Sequence, residues 1–176
     1  MENKHILTVE QFKELVRPVS KHVDEAEVMA FVSEVEDMRI IPAVGLDTFE
    51  ALLGDEVDEE KQILLDGGVW VYKGGHCQDE EGKRMRCVGL KKALAYFAYA
   101  KMIQTDGSIV TRTGVMRHND EYAQHVEDKA RKARYNDVMN IAEEYLSGCL
   151  LYWKSVKGEE VREVRGSRVH IHAIGD

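Results

Sequence analysis

Two prolines, three cysteines and an aromatic share of 7% are the scarcities of this 176-residue chain. Cys77, Cys87 and Cys149 are odd in number and show no CxxC spacing, so neither a disulfide framework nor a zinc knuckle is indicated. Cys77 and Cys87 can face each other across a hairpin, although plain reduced thiols are the simpler expectation. The longest apolar run, residues 93–100, falls well short of the ~18 residues a membrane span requires. Residues 1–7 carry no apolar run of signal-peptide length, so no secretory leader is expected. Glycine-rich phosphate cradles of the GxGxxG or GxxxxGK[ST] type are missing, and so is a GxSxG nucleophile elbow. The acidic run at residues 55–60 lacks the alternating spacing of a calcium loop and reads as a solvated helix start.

An excess of positive charge is missing too. The chain carries 24 Lys+Arg against 32 Asp+Glu, a net charge of −8, which argues against a protein built to grip nucleic-acid backbones. The deficit is unevenly placed. Residues 1–66 hold 6 Lys+Arg and 17 Asp+Glu, net −11, while the remainder holds 18 against 15, net +3. The molecule therefore has an acidic end and a mildly basic end. Hydrophobic residues at 44% and charged residues at 32% describe an ordinary globular chain, long enough for one real core.

The pattern is mainly helical. Thr8 and Gln11 have capping-box spacing, so a short helix is expected through Phe12, Leu15 and Val16, stopped by Pro18. Asp24 opens a second helix, acidic outside, with Val28, Phe31, Val32, Val35 and Met38 as its apolar stripe and Pro42 and Gly45 as its breakers. Leu46, Phe49, Leu52 and Leu53 predict a short amphipathic helix closed by Gly54. Another spans residues 58–65 and ends at Gly67 and Gly68.

The period then changes. β-Branched and aromatic residues 69–72 and the alternating residues 84–88 predict a hairpin with a long polar tip. Gly89 hands over to a helix at residues 90–105 that is apolar nearly all round, interrupted at Lys101, as the buried centre of a bundle would be. Residues 106–118 read as an irregular or extended link. Asn119 or Asp120 then caps a long helix reaching about Val156, with Val126, Ala130, Ala133, Val138, Ile141, Tyr145, Cys149 and Tyr152 as its stripe. At ~1.5 Å per residue this element is on the order of 50 Å, too long for so small a domain, so part of it should project, bend or meet a neighbour. The expected architecture is thus mainly α: a helical bundle with a long C-terminal helix, a central hairpin at about 69–88 and an extended tail. The helical domain is 1–157 and the strand or tail is 158–176.

Candidate chemistry is thin. His170 and His172 share one face of a strand, a geometry zinc or copper can use, with His76, Cys77 or Cys87 as conceivable third ligands. The polar face of a terminal strand accounts for them as well. Lys129, Arg131, Lys132 and Arg134 form a basic patch between Asp128 and Asp137, read as a helix face balanced by i,i+4 pairs. Tyr152 and Trp153 fit either an interface anchor or core packing. We expect no enzyme, no cofactor and no metal. The absence of a motif is weak evidence against catalysis, because catalytic groups assemble in space.

The order of these elements carries a resemblance. The segment PAVGLDTFEALL (residues 42–53) precedes the hairpin, and GLKKALAYFAYAK (residues 89–101) follows it. A link with TRTGV (residues 111–115) comes next, then a long helix with Glu121, Tyr122, Lys129, Arg134, Tyr135, Asn136, Tyr145 and Leu146. Over about residues 6–156 the chain resembles the head–tail connector proteins of tailed phages and prophages, also called neck adaptor or head-completion proteins. That resemblance implies a structural virion protein of the neck, assembled in the host bacterial cytoplasm. It implies a ring, usually of twelve subunits, beneath the portal protein, extending the DNA channel and offering a platform to a tail or stopper protein. DNA is then only channel cargo, no membrane is involved, and the free chain stays monomeric until the portal templates it. Tyr152, Trp153, Arg162, Arg165 and Arg168 are the expected subunit or portal interface. The alternative is a nucleic-acid-associated regulatory protein using the N-terminal helices as a helix-turn-helix, against which the acidic first 66 residues speak.

Overall fold

The computed structural model describes residues 5–20, 23–54, 57–72, 82–105, 108–111, 114–117 and 128–159. Helix α1 (Val9–Leu15) begins with the expected capping box: Gln11 N–H donates to Thr8 Oγ1 at 3.3 Å and Thr8 N–H to Gln11 Oε1 at 3.1 Å. Helix α2 (Glu25–Val35) is capped by Asp24, whose carboxylate accepts from the N–H groups of Ala26 and Glu27.

Pro42 does not break this helix. A π-helical turn (Glu36–Ile40) follows α2 without interruption and leads into α3 (Ile41–Val44), with Pro42 in its first turn. Ile41 N–H reaches back five residues to the Glu36 carbonyl. The wider turn accommodates a residue that has no N–H of its own to give. One extra residue rotates the helix by about 100°, so the apolar stripe changes phase. Met38, expected inside, is 62% exposed, and the buried series runs Val28, Val32, Val35, Ile40, Val44. Gly45, at φ 90°, is where the helix ends.

Helices α4 (Leu46–Leu52) and α5 (Glu59–Asp66) follow, with Asp58 capping α5. Leu53, not Gly54, is the C-cap of α4. Strands β1 (Gly68–Tyr72) and β2 (Lys83–Cys87) pair antiparallel in the expected hairpin, Gly68 opposite Cys87 and Tyr72 opposite Lys83. Trp70 and Tyr72 point into the core, while Val69 and Val71 lie on the exposed face. The polar tip expected at residues 73–81 lies outside the described residues.

Helix α6 (Leu90–Thr105) is the centre of the bundle. Helices α1, α2 and α5, the π-turn and the long C-terminal helix all touch it. Leu90, Ala93, Leu94, Ala95, Phe97, Ala98, Tyr99 and Ala100 are buried, and the alanines let neighbours approach closely from several sides. Lys101 escapes sideways to Glu34, 2.6 Å away.

Residues 106–118 were expected to be an irregular or extended link, but they contain a second antiparallel hairpin. Strand β3 (Ser108–Thr111) pairs with β4 (Gly114–Arg117), Val110 opposite Val115. Helix α7 (Asp128–Val156) has 29 residues, or ~44 Å at the usual rise. Its expected caps, Asn119 and Asp120, and the stripe residue Val126 lie outside the described residues, as do residues 160–176.

Two glycines lock the bundle where β2 enters α6. Gly67 (φ 95°) ends α5, and Gly89 (φ 90°) precedes α6. A Cβ on Gly89 would stand 2.5 Å from the Asp66 carbonyl carbon, and one on Gly67 would stand 2.8 Å from Val88 backbone. Only glycine permits both the dihedral and this crossing of two chain segments. Lys91 and Asp66 close the same junction with a 2.7 Å ion pair.

Candidate interaction surface

Helix α7 divides along its length. Val138, Ala142, Leu146, Cys149, Tyr152 and Trp153 are buried and form a continuous seam against α6, α5 and the β1–β2 hairpin. Ala130 and Ala133, expected on that seam, are exposed. The seam starts only at Val138, although the preceding turns lie beside the C-terminal end of α6, where Tyr99, Met102, Ile103 and Gln104 line shallow grooves with Arg131, Lys132 and Tyr135. Residues 129–137 hold no fully buried side chain.

That free stretch carries the basic patch. Lys129, Lys132 and Arg134 are exposed and Arg131 is half-buried. Asp137 does not balance them along the helix, contrary to the expected i,i+4 pairing. It accepts instead from Arg17 Nη2 at 2.8 Å, across to the segment after α1. That hydrogen bond raises the Arg17 pKa further above its ordinary value. Among the described residues, Lys129 and Lys132 have no carboxylate partner.

Beneath the patch is a shallow groove of about 240 Å³ with an apolar floor of Val19, Met102 and Ile103 and a rim of Arg131 and Arg134. Arg134 donates to the Tyr99 hydroxyl at 2.6 Å, with its guanidinium 6.0 Å from the ring centre. On the other flank, Arg39 pairs with Glu143 at 3.0 Å and lies over the Phe97 ring. The opposite charge sits on α1 and α2, where Glu10, Glu14, Glu25, Glu27 and Glu34 are exposed. Lys13 pairs with Glu25, leaving the face acidic overall. Such a face repels phosphate, so α1 and α2 make poor DNA-reading helices.

The residues expected to form an interface separate into two groups. Tyr152 and Trp153 are 3% and 9% exposed, so the core-packing reading describes their placement. Tyr152 donates its hydroxyl to the Glu60 carbonyl at 2.9 Å and meets Trp70 edge-on at 5.4 Å. Burial, then the charges of Glu60 and its neighbours, push the phenol up to about 12. The indole N–H groups of Trp70 and Trp153 find no acceptor among the described residues. Arg162, Arg165 and Arg168 lie outside the described residues, with His76, Cys77, His170 and His172.

Two clusters escaped sequence reasoning. Glu36, 4% exposed, accepts from Ile6 N–H at 2.9 Å and lies 2.6 Å from His5 Nδ1, tying the N-terminal segment onto the π-turn. Cys87 faces Cys149, with their sulfurs 3.6 Å apart, while Cys77, which can face Cys87 across the hairpin, lies outside the described residues. A separation of 62 residues in sequence gave no signal of that contact. Among the described residues no group of three His, Cys, Asp or Glu side chains is placed to hold a metal ion. No helix among them is long and apolar enough to cross a membrane.

A family model described as a family of unknown function, DUF6712, matches residues 40–159, from the end of the π-turn through α7. The chain belongs to DUF6712. No curated protein and no solved structure matches it. The DUF6712 match takes in the hairpins, α6, the packed seam and the basic start of α7, and leaves acidic α1 and α2 outside.

Proposed function

We propose that this DUF6712 chain is a structural connector of a tailed phage or prophage. In this reading it forms a ring between the portal protein and the tail, of twelve subunits as is usual in the connectors it resembles. It acts by assembly and not by catalysis, works in the virion neck, and lets DNA pass as channel cargo. The observation that carries the reading is the start of α7, where residues 129–137 bury no side chain completely and, among the described residues, Lys129 and Lys132 have no carboxylate partner. A helix that overhangs its domain suits side-by-side packing with a neighbour, and separated acidic and basic ends suit stacking in a ring. A channel wall poor in cations lets phosphates slide.

Negative-stain imaging of the chain mixed with the portal protein encoded alongside it tests the proposal. Rings capping the portal are expected; no ring and no portal binding under any condition overturns it. Within this reading, the tail bearing Arg162, Arg165 and Arg168 contacts the portal or a ring neighbour. Deleting residues 158–176 should weaken portal binding while leaving the melting temperature unchanged, and unaltered binding sinks that assignment.

A further inference from the structure

Cys87 ends β2 and Cys149 lies in the middle of the α7 seam, so their contact joins the hairpin to the long helix. The two side chains are 1% and 0% exposed. Their sulfurs, 3.6 Å apart, need to close by only about 1.5 Å to reach the ~2.05 Å of a disulfide. We propose that Cys87 and Cys149 are a redox pair that closes into an intramolecular disulfide, stapling the β1–β2 hairpin to α7. The pair's chemistry stands whether or not the chain is a connector.

The two sulfurs are not equivalent. Hydrogen bonding from Cys149, helped by the Gly89 backbone N–H, holds the Cys87 thiol below its ordinary pKa against the opposing effect of burial. Cys149 is pushed far up by its bond to Cys87 and by burial. Cys87 is therefore the attacking thiolate and Cys149 the resolving thiol.

With hydrogen peroxide as oxidant, the Cys87 thiolate attacks one peroxide oxygen. An S–O bond forms as the O–O bond breaks, and hydroxide leaves and takes up the proton Cys87 has shed. The Cys149 sulfur then attacks the Cys87 sulfenic acid; S–S forms, S–OH breaks, and water departs with the Cys149 proton. Two thiols lose two electrons and two protons, and one peroxide becomes two waters. Because both sulfurs are buried, the oxidant gains entry when the hairpin opens locally. A thiol-buffered cytosol keeps the pair reduced, and an oxidising exterior closes it.

The test uses the full chain, reduced, desalted, treated natively with hydrogen peroxide, and alkylated with N-ethylmaleimide before non-reducing peptide mapping. The expected product is a single chain lighter by two hydrogens, with the Cys87 peptide joined to the Cys149 peptide and only Cys77 alkylated. Its melting temperature should rise by roughly 5–15 °C over the reduced protein, and dithiothreitol should reverse the rise. Cys77→Ser should give the same link, which rules out a route through the third thiol. Three alkylated cysteines, a link from Cys87 to Cys77, a link between two chains, or a link that forms only after denaturation overturns the proposal.

Discussion

Residues 138–156 and residues 128–137 are parts of one helix with opposite fates. The first part buries a side chain at every turn, at Val138, Ala142, Leu146, Cys149 and Tyr152. The second has the same backbone, but its residues 129–137 bury no side chain completely, and it carries Lys129, Arg131, Lys132 and Arg134. Charge separates the two parts, with six charged residues of ten in 128–137 against three of nineteen in 138–156, and so does how fully each is covered. Where the hairpin and the first turns of α6 lie alongside, the helix becomes core. Beside the last turns of α6 it is only partly covered, held by cross-links such as Arg17–Asp137 and Arg134–Tyr99. Most helical stability comes from packing of one face, so the free part depends on the packed part to stay helical.

The comparison breaks most severely at the clasp beneath the packed part. Gly89→Ala adds a Cβ within 2.5 Å of backbone at a φ of 90°. The expected cost is about 4 kcal/mol or more, enough to remove most of a small domain's stability, read as loss of the cooperative urea transition. Next is Leu146→Ala in the seam, 7% exposed. It leaves a cavity and should cost about 3 kcal/mol by urea denaturation. Residue 133 is already alanine and exposed, so Ala133→Leu should cost nothing comparable in the same measurement. A large penalty there would mean the free part is packed after all.

This division was half legible. Sequence reading located α6, the first hairpin and the long helix, because period and apolar content are local properties. It also expected α7 to be longer than the core needs, and residues 129–137 of that helix bury no side chain completely. It placed the overhang's alanines inside because small apolar residues at helical spacing carry no mark of whether a neighbour reaches them; Ala130 and Ala133 differ from Ala142 only in what stands opposite. The π-turn was invisible for a related reason. Met38 fits a 3.6-residue stripe, and only the five-residue step from Val35 to Ile40 reveals the inserted residue. Pro42 read as a breaker because the widened turn that accommodates it is not a sequence pattern. The second hairpin was missed since four-residue strands at Ser108–Thr111 and Gly114–Arg117 barely establish an alternation. Contacts between distant residues, Glu36 with His5 and Cys87 with Cys149, left no trace in spacing.

A smaller effect tests the polar fastening of the packed part. Tyr152→Phe removes the hydroxyl that donates to the Glu60 carbonyl and should cost about 1 kcal/mol near neutral pH. The phenol's folded pKa, about 12, exceeds the unfolded value of about 10, so folding favours the protonated form. Its contribution is fully present below about pH 10 and is lost as pH rises through about 12. Urea midpoints measured from about pH 9 to about pH 12 should fall more steeply for the natural chain than for Tyr152→Phe. Parallel curves would mean that Tyr152 ionises as freely as an exposed phenol.

The smallest expected change in stability belongs to the free part. Lys129 and Lys132 are exposed and pair with no carboxylate among the described residues. Lys129→Glu with Lys132→Glu should therefore alter the unfolding free energy by less than about 0.5 kcal/mol. If the overhang meets an acidic face of a neighbour, the same double reversal sets like charges together and should abolish ring formation on the portal. Added salt should weaken assembly of the natural chain, since exposed charge pairs are screened beyond a Debye length of about 8 Å at physiological ionic strength. A charge-reversed chain that still forms rings would move the contact away from α7, whereas a large fall in its own stability would place this stretch within the folded core. The two readouts, melting and assembly, thus separate the two parts of the helix by the kind of damage each suffers.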